Sequence, residues 1–164
     1  KGVYINMKNL IVIFILTSLS FPAFAEVVKE NEGKKNFSIS SIVKSDIKPW
    51  DEIKLFNTTG KDGLVITSIM FFISESGLWF FDEKDMDINI DSENFKARFI
   101  ITKNSMDTKQ HKETRMVAYQ FDQKLKEKIK TAKQVILKIY CKNRTDIEWA
   151  VPDFVLKEWK TVIE

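Results

Sequence analysis

The stretch that most constrains this chain is Leu64 to Ile73, LVITSIMFFI, which carries apolar residues on both sides of an extended strand. Successive side chains of a strand point to opposite faces. Val65, Ile69, Phe71 and Ile73 therefore go one way, and Leu64, Ile66, Met70 and Phe72 the other. An antiparallel strand with one wet face normally alternates apolar and polar residues, so the second face of this one needs a cover. A helix of the same chain, a second copy of the protein or a ligand could supply it, and the chain's own two helical segments are the expected cover. A membrane span is the wrong reading. Ser74-Glu75-Ser76-Gly77 interrupts the stretch before Leu78-Trp79-Phe80-Phe81, whereas a spanning helix needs about 20 consecutive apolar residues. The interruption reads as a hairpin.

Further strands are expected from the same alternation. They begin at Phe37 to Ser40, run over Glu52 to Thr58, Leu78 to Asp82, Phe95 to Ile101, Thr114 to Phe121 and Gln134 to Lys142, and end with Asp146 to Val151, which pairs with its predecessor across Asn143-Arg144-Thr145. Two helices are expected. Asp122 can cap one that runs to Lys133 with Leu125, Ile129 and Ala132 on its dry side, and Pro152 opens a second through Ile163 that repeats Val155, Trp159 and Val162. Many strands with two late helices predict a mainly β fold: a two-layer antiparallel, Ig-like β-sandwich with one or two short helices. The alternative is an α+β sheet with both helices on one face.

The N-terminal segment resembles a secretory signal peptide. Met7-Lys8 precedes the apolar run Leu10 to Leu19, and Ala23 and Ala25 stand in the A-x-A arrangement that a signal peptidase cleaves. The apolar run is too short to span a membrane, so no stable anchor is expected after cleavage. Residues 1–6 read as lying upstream of the start, residues 1–25 as removed, residues 26–36 as a loose and flexible leader, and residues 37–164 as one globular domain. A periplasmic or secreted bacterial protein follows. Removing Lys1 and Lys8 takes the 26 Lys and Arg to 24 against 23 acids. That near-neutral balance lacks the basic footprint of a nucleic-acid binder. Cys141 is the single cysteine and can form no disulfide within the chain, so the fold must rest on packing.

Catalytic constellations are hard to assemble from these residues. His111, the single histidine, falls in Lys103 to Glu113, which reads as a polar loop with no apolar anchor to fix its ring. Cys141 is in phase with Val135, Leu137 and Ile139, which points it inward as a small hydrophobe. Gly60-Lys61-Asp62-Gly63 lacks the spacing of a phosphate loop, and one His with one Cys cannot close a zinc site. Asp85, Asp87, Asn89 and Asp91 recur at every second position like the start of a calcium loop. However, Ile90 stands where that loop needs Gly and Lys96 where it needs Glu. The same period fits an edge strand with Met86, Ile88 and Ile90 on one face and, on the other, acids that guard against edge-to-edge association. No metal and no cofactor are expected.

Two functions remain. The first is a non-catalytic exported module that binds an unknown protein partner, or itself, through an apolar sheet face or edge. The alternative is a small-ligand binding protein, for carbohydrate for example, or a hydrolase, built on aromatics beside carboxylates. Trp79, Phe81, Trp149 and Glu148 are its candidate residues, with Asp82 close by in sequence.

Overall fold

Alternation of buried and exposed residues along each extended segment decides which side of the sheet becomes the interior. In the computed structural model, which describes residues 25–31, 37–44, 47–59, 63–107 and 112–163, this produces eleven strands and two helices. The strands are β1 (Ala25–Asn31), β2 (Phe37–Val43), β3 (Glu52–Thr59), β4 (Val65–Ser74), β5 (Phe80–Phe81), β6 (Met86–Ile90), β7 (Glu93–Asp107), β8 (Lys112–Phe121), β9 (Val135–Ile139), β10 (Cys141–Lys142) and β11 (Ile147–Ala150). The helices are α1 (Gln123–Thr131) and α2 (Asp153–Ile163). Nine strands form one curled antiparallel sheet in the order β1-β2-β3-β4-β8-β7-β6-β9-β11, and β5 and β10 make a small second sheet. The mainly β, antiparallel class with two short helices expected from the sequence is the class observed.

The long β7 ties the sheet together. It pairs with β6 over Glu93 to Ala97 and with β8 over Arg98 to Asp107, and a bulge between Phe99 and Ile101 shifts the register within the β8 pairing. Bulges bend a strand and increase its local twist, and here the bend lets one sheet curl around its contents. The β6–β7 hairpin turns on Asp91 and Ser92 alone, with φ of 47° and 74°. Two residues with positive φ are what the tightest hairpin turn requires.

On the inner side the odd-numbered residues of β3, β4, β8, β9 and β11 meet both helices in one core. Phe71 and Trp149 lie 6.5 Å apart between ring centroids, and Trp149 and Trp159 of α2 lie 6.4 Å apart. The helix ends are tied down by polar groups. Asp122 accepts from the Leu125 amide at 2.7 Å and caps α1, and Lys160 donates to the Ala132 carbonyl at 2.6 Å, joining α2 to the end of α1. Asn57 Nδ2 donates to the Val162 carbonyl at 2.5 Å while its Oδ1 accepts from the Thr67 hydroxyl, which fixes the last turn of α2 on β3 and β4.

The placement of the helices overturns one expectation. They do not cover the Met70 and Phe72 face of β4 but pack on the opposite face, against Ile69 and Phe71. Trp149, Trp159, Val155 and Val162 already fill the inner space, and Asn57 and Thr67 mark that side as the docking surface for α2. The polar stretch Lys103 to Glu113 also differs from its reading as a loop. β7 continues to Asp107 and β8 resumes at Lys112, paired through polar residues such as Ser105 with Thr114, a pairing held by backbone hydrogen bonds that leaves no apolar signal. Part of the expected leader is likewise a strand: residues 25–31 form β1 against β2, because an end strand takes its hydrogen bonds from its neighbour and needs no apolar pattern. Residues 1–24, which hold most of the signal-like segment, lie outside the described residues, as do 32–36, 60–62 and His111.

Candidate functional site

The sequence-derived aromatic candidates are core residues. Trp79, Phe81 and Trp149 are buried. Trp79 meets Phe81 edge-on at 5.3 Å between centroids, and Trp50 bridges Phe81 and Trp149 at 6.4 and 6.3 Å. Such contacts reward packing and leave no ring face for a ligand. Glu148 sits on the opposite face of β11, exposed. A stacking platform beside that carboxylate is therefore not assembled from these four residues, because alternation along β11 sends Trp149 inward and Glu148 outward.

The calcium candidates are also dispersed in their bonding. Asp85 accepts from the Phe99 amide at 2.9 Å, Asp87 from the Tyr140 hydroxyl, and Asp91 from the Lys133 and Gln134 amides at 3.0 and 2.9 Å. Asn89 donates to Asn94 at 2.8 Å and accepts from the Ser92 amide at 3.2 Å. Each is employed by its own chain. Among the described residues no three His, Cys, Asp or Glu are grouped to hold a metal ion.

Three features carry chemistry. The first is a cleft of about 550 Å³ on the outer side of the sheet, lined by Asp87, Asn89, Asn94, Lys96, Ile136, Lys138 and Glu148 with neighbouring backbone. Cross-strand register places Lys96 beside Asp87, Asp87 beside Lys138 and Lys138 beside Glu148. The ion pairs are 3.8 Å for Lys96 with Asp87 and 3.7 Å for Lys138 with Glu148. The hydrogen bond to Asp87 holds the Tyr140 phenol in its neutral form and raises its pKa. Asp82, whose amide donates to the Tyr140 carbonyl at 2.8 Å, is paired with Lys84 at 2.8 Å and Lys142 at 3.4 Å, and the Lys84 hydrogen bond holds its pKa below the usual carboxylate value. Sequence reasoning singled out Glu148, Asp87 and Asn89 here and missed Lys96 and Lys138, whose partners lie on other strands.

The second feature is a clamp built on Arg115, a wholly buried arginine on the inner face of β8. Its guanidinium donates to the Trp79 carbonyl at 2.7 Å, to the Gly77 carbonyl at 2.5 Å and to the Glu75 carbonyl, and pairs with Glu113 at 2.5 Å. Arg115 also lies over the Trp79 ring at 4.5 Å, as does Arg144 at 4.3 Å. The planar fork of arginine can serve three carbonyls at once. It fixes the β4–β5 loop, in which Gly77 has φ of 125° and Leu78 is 86 % exposed.

The third is the outer face of the β4 half of the sheet. One register row there runs Ile42, Lys54, Met70, Ala118 and Ile101, and the next sets Glu52, Phe72, Met116 and Lys103 side by side. Met70, Phe72 and Met116 are half-buried, while Ile66 and Ile101 are 40 and 39 % exposed. Lys54 extends over the Phe72 ring at 5.3 Å.

Cys141, expected to point inward, is half-buried. The main sheet breaks at Tyr140, so Cys141 leaves β9 and pairs with Phe81 in the small sheet. Burial pushes its thiol up to about 11, which suppresses the reactive thiolate at neutral pH. No helix among the described residues is long and apolar enough to cross a membrane. Comparison with protein families, with curated proteins and with solved structures finds no match.

Proposed function

We propose that this chain is an exported, non-catalytic module that binds a protein surface through the outer face of β3, β4, β8 and β7. The observation that carries the reading is the side on which the helices dock. Both are spent on the inner face, which leaves Met70, Phe72, Met116, Ile66 and Ile101 as an apolar outer band bordered by Lys54, Arg98 and Lys103. An apolar surface rimmed by polar residues is the usual composition of a protein-binding patch. Export rests on the Met7 to Ala25 pattern, which supports a periplasmic or secreted site of action and a mature chain that starts at Glu26.

The test combines light scattering, apolar dye binding and denaturant unfolding of the chain and of its Phe72→Ser, Ile101→Ser double variant. The expected outcome is concentration-dependent association or dye binding that the double variant loses while its unfolding midpoint stays close to that of the parent. A parent that is monomeric at every concentration and binds no more dye than the double variant would refute the reading. Intact mass of the exported product tests the address, since a chain that retains Met7 to Ala25 would contradict it.

A further inference from the structure

The outer surface at the other end of the sheet is stepped in side-chain length. One register row, Lys96, Asp87, Lys138 and Glu148, crosses β7, β6, β9 and β11 with alternating sign. The row beside it, toward the Asp91-Ser92 turn, is Asn94, Asn89, Ile136 and Ala150, all short or uncharged. The drop from the first row to the second makes the cleft of about 550 Å³. A ladder of alternating charge accounts for strand register by itself; the depression beside it needs a separate reason.

We propose that this cleft binds a neutral, hydroxyl-rich ligand, a carbohydrate of one or two sugar units. The volume lies in the range of small-ligand sites. Two carboxylates face two lysines in the lining, so the wall has no net charge to attract an ion, and a charged ligand would have to break pairs already made. What the wall offers is a row of alternating acceptors and donors, which suits hydroxyl groups that both give and accept. On the floor the Asn94 carbonyl oxygen is engaged by Asn89, which orients the Asn94 amide and leaves its N–H groups without a partner among the described residues. Ile136 provides the apolar patch on which the C–H face of a sugar ring can rest. This site lies on a different half of the outer surface from the proposed protein-binding face, so either can fail alone.

Isothermal titration and ligand-observed saturation-transfer NMR with maltose, cellobiose and diacetylchitobiose test the proposal, with glucuronic acid and glucosamine as charged controls. The expected result is saturable binding of at least one neutral sugar, of unchanged strength between about 0.05 and 0.5 M salt. Asn94→Ala should weaken that binding by about tenfold or more, and Ala150→Trp, which sets a large ring beside Ile136 at the border of the cleft, should abolish it. Both substitutions are at exposed positions, and an unchanged unfolding midpoint separates a lost site from a lost fold. No saturable binding of any neutral sugar, tighter binding of a charged control, or binding indifferent to Asn94→Ala would each overturn the proposal.

Discussion

β4 and β9 belong to one sheet and face one core, yet their outer faces have nothing in common. Inward, β4 supplies Ile69, Phe71 and Ile73 and β9 supplies Val135, Leu137 and Ile139, all buried and all in the same cluster. Outward, β4 shows Met70 and Phe72, while β9 shows Ile136 and Lys138, the latter paired with Asp146 and Glu148 at 3.7 Å each. Folding requires the inner pattern of both strands and leaves the outer pattern free. A difference between outer faces that the core does not demand is where binding specificity can be written. The wet face of β9 is what an antiparallel strand ordinarily carries; the apolar one of β4 is the exception.

The largest effects should come from the shared inner face. Phe71→Ala is expected to cost about 3 to 5 kcal/mol and Leu137→Ala about 2 to 5 kcal/mol, because each leaves a cavity among fully buried neighbours. Met70→Ala and Ile136→Ala, one step along the same strands, should each cost less than about 1.5 kcal/mol, since half-buried side chains lose less area and water refills the gap. Denaturant unfolding measures all four. An outer substitution as costly as its inner neighbour would break the comparison.

Arg115 is the wholly buried charge on the inner face of β8, and it comes next in size. Arg115→Ala strands three loop carbonyls and the Glu113 carboxylate, and removal of one partner from a buried charged network costs about 3 kcal/mol or more. Arg115→Lys should recover little, because an ammonium cannot span carbonyls that a planar fork reaches together. Rapid amide exchange in residues 75–79 of the variant, with the rest of the sheet protected, would be the local sign of the lost clamp.

What was legible in the sequence follows the same division. The period-two pattern placed β3, β4, β8 and β11 within a residue or two, and Asp122 and Pro152 marked the starts of both helices, because caps and core-facing residues act locally; β9 stops at Ile139, short of the expected Lys142, and β6 lies between β7 and β9 and is no edge strand. The pattern could not tell which face of β4 the helices would take, since Met70 and Phe72 are as apolar as Ile69 and Phe71. Asn57, which decides the matter by holding the end of α2, looks like any strand-end polar residue. The candidate site was legible only in part for a related reason. Asp87, Asn89 and Glu148 stood out as acids or acid-like residues, but Lys96 and Lys138 acquire meaning only through registers that set both beside Asp87, the one 9 and the other 51 positions away in the chain. Trp149 misled because an aromatic beside an acid in sequence faces away from it in a strand, and Trp79 because it is packed under Arg115 and Arg144 against Phe81.

The charge ladder on the outer side of β9 should matter little to stability. Lys138→Met removes two ion pairs at 3.7 Å whose side chains are substantially exposed, and such pairs contribute about 0 to 1 kcal/mol. The change should shrink further as salt is raised. A loss as large as that for Leu137→Ala would mean that the ladder holds the strands together and is no free surface.

The smallest effect is the most specific to this region, and concerns the Tyr140 hydroxyl. Its hydrogen bond to Asp87 favours the neutral phenol, so ionisation in the folded protein should occur above the ordinary value of 10.0. A group whose folded pKa is raised contributes stability that is fully present below its unfolded pKa and is lost as pH rises through the folded one. The contribution of the pair is therefore intact at neutral pH and disappears only in alkali. Ultraviolet titration should show the phenolate of Tyr140 appearing late in the parent and earlier in Asp87→Asn, whose amide can still donate but no longer supplies the charged acceptor. Tyr119, buried on the inner face and shifted upward by desolvation, must not move in that variant. A coincident titration of parent and Asp87→Asn would show that the Tyr140 to Asp87 bond is absent in solution, and with it one of the contacts that hold Asp87 in the cleft on which the outer face of β9 differs from that of β4.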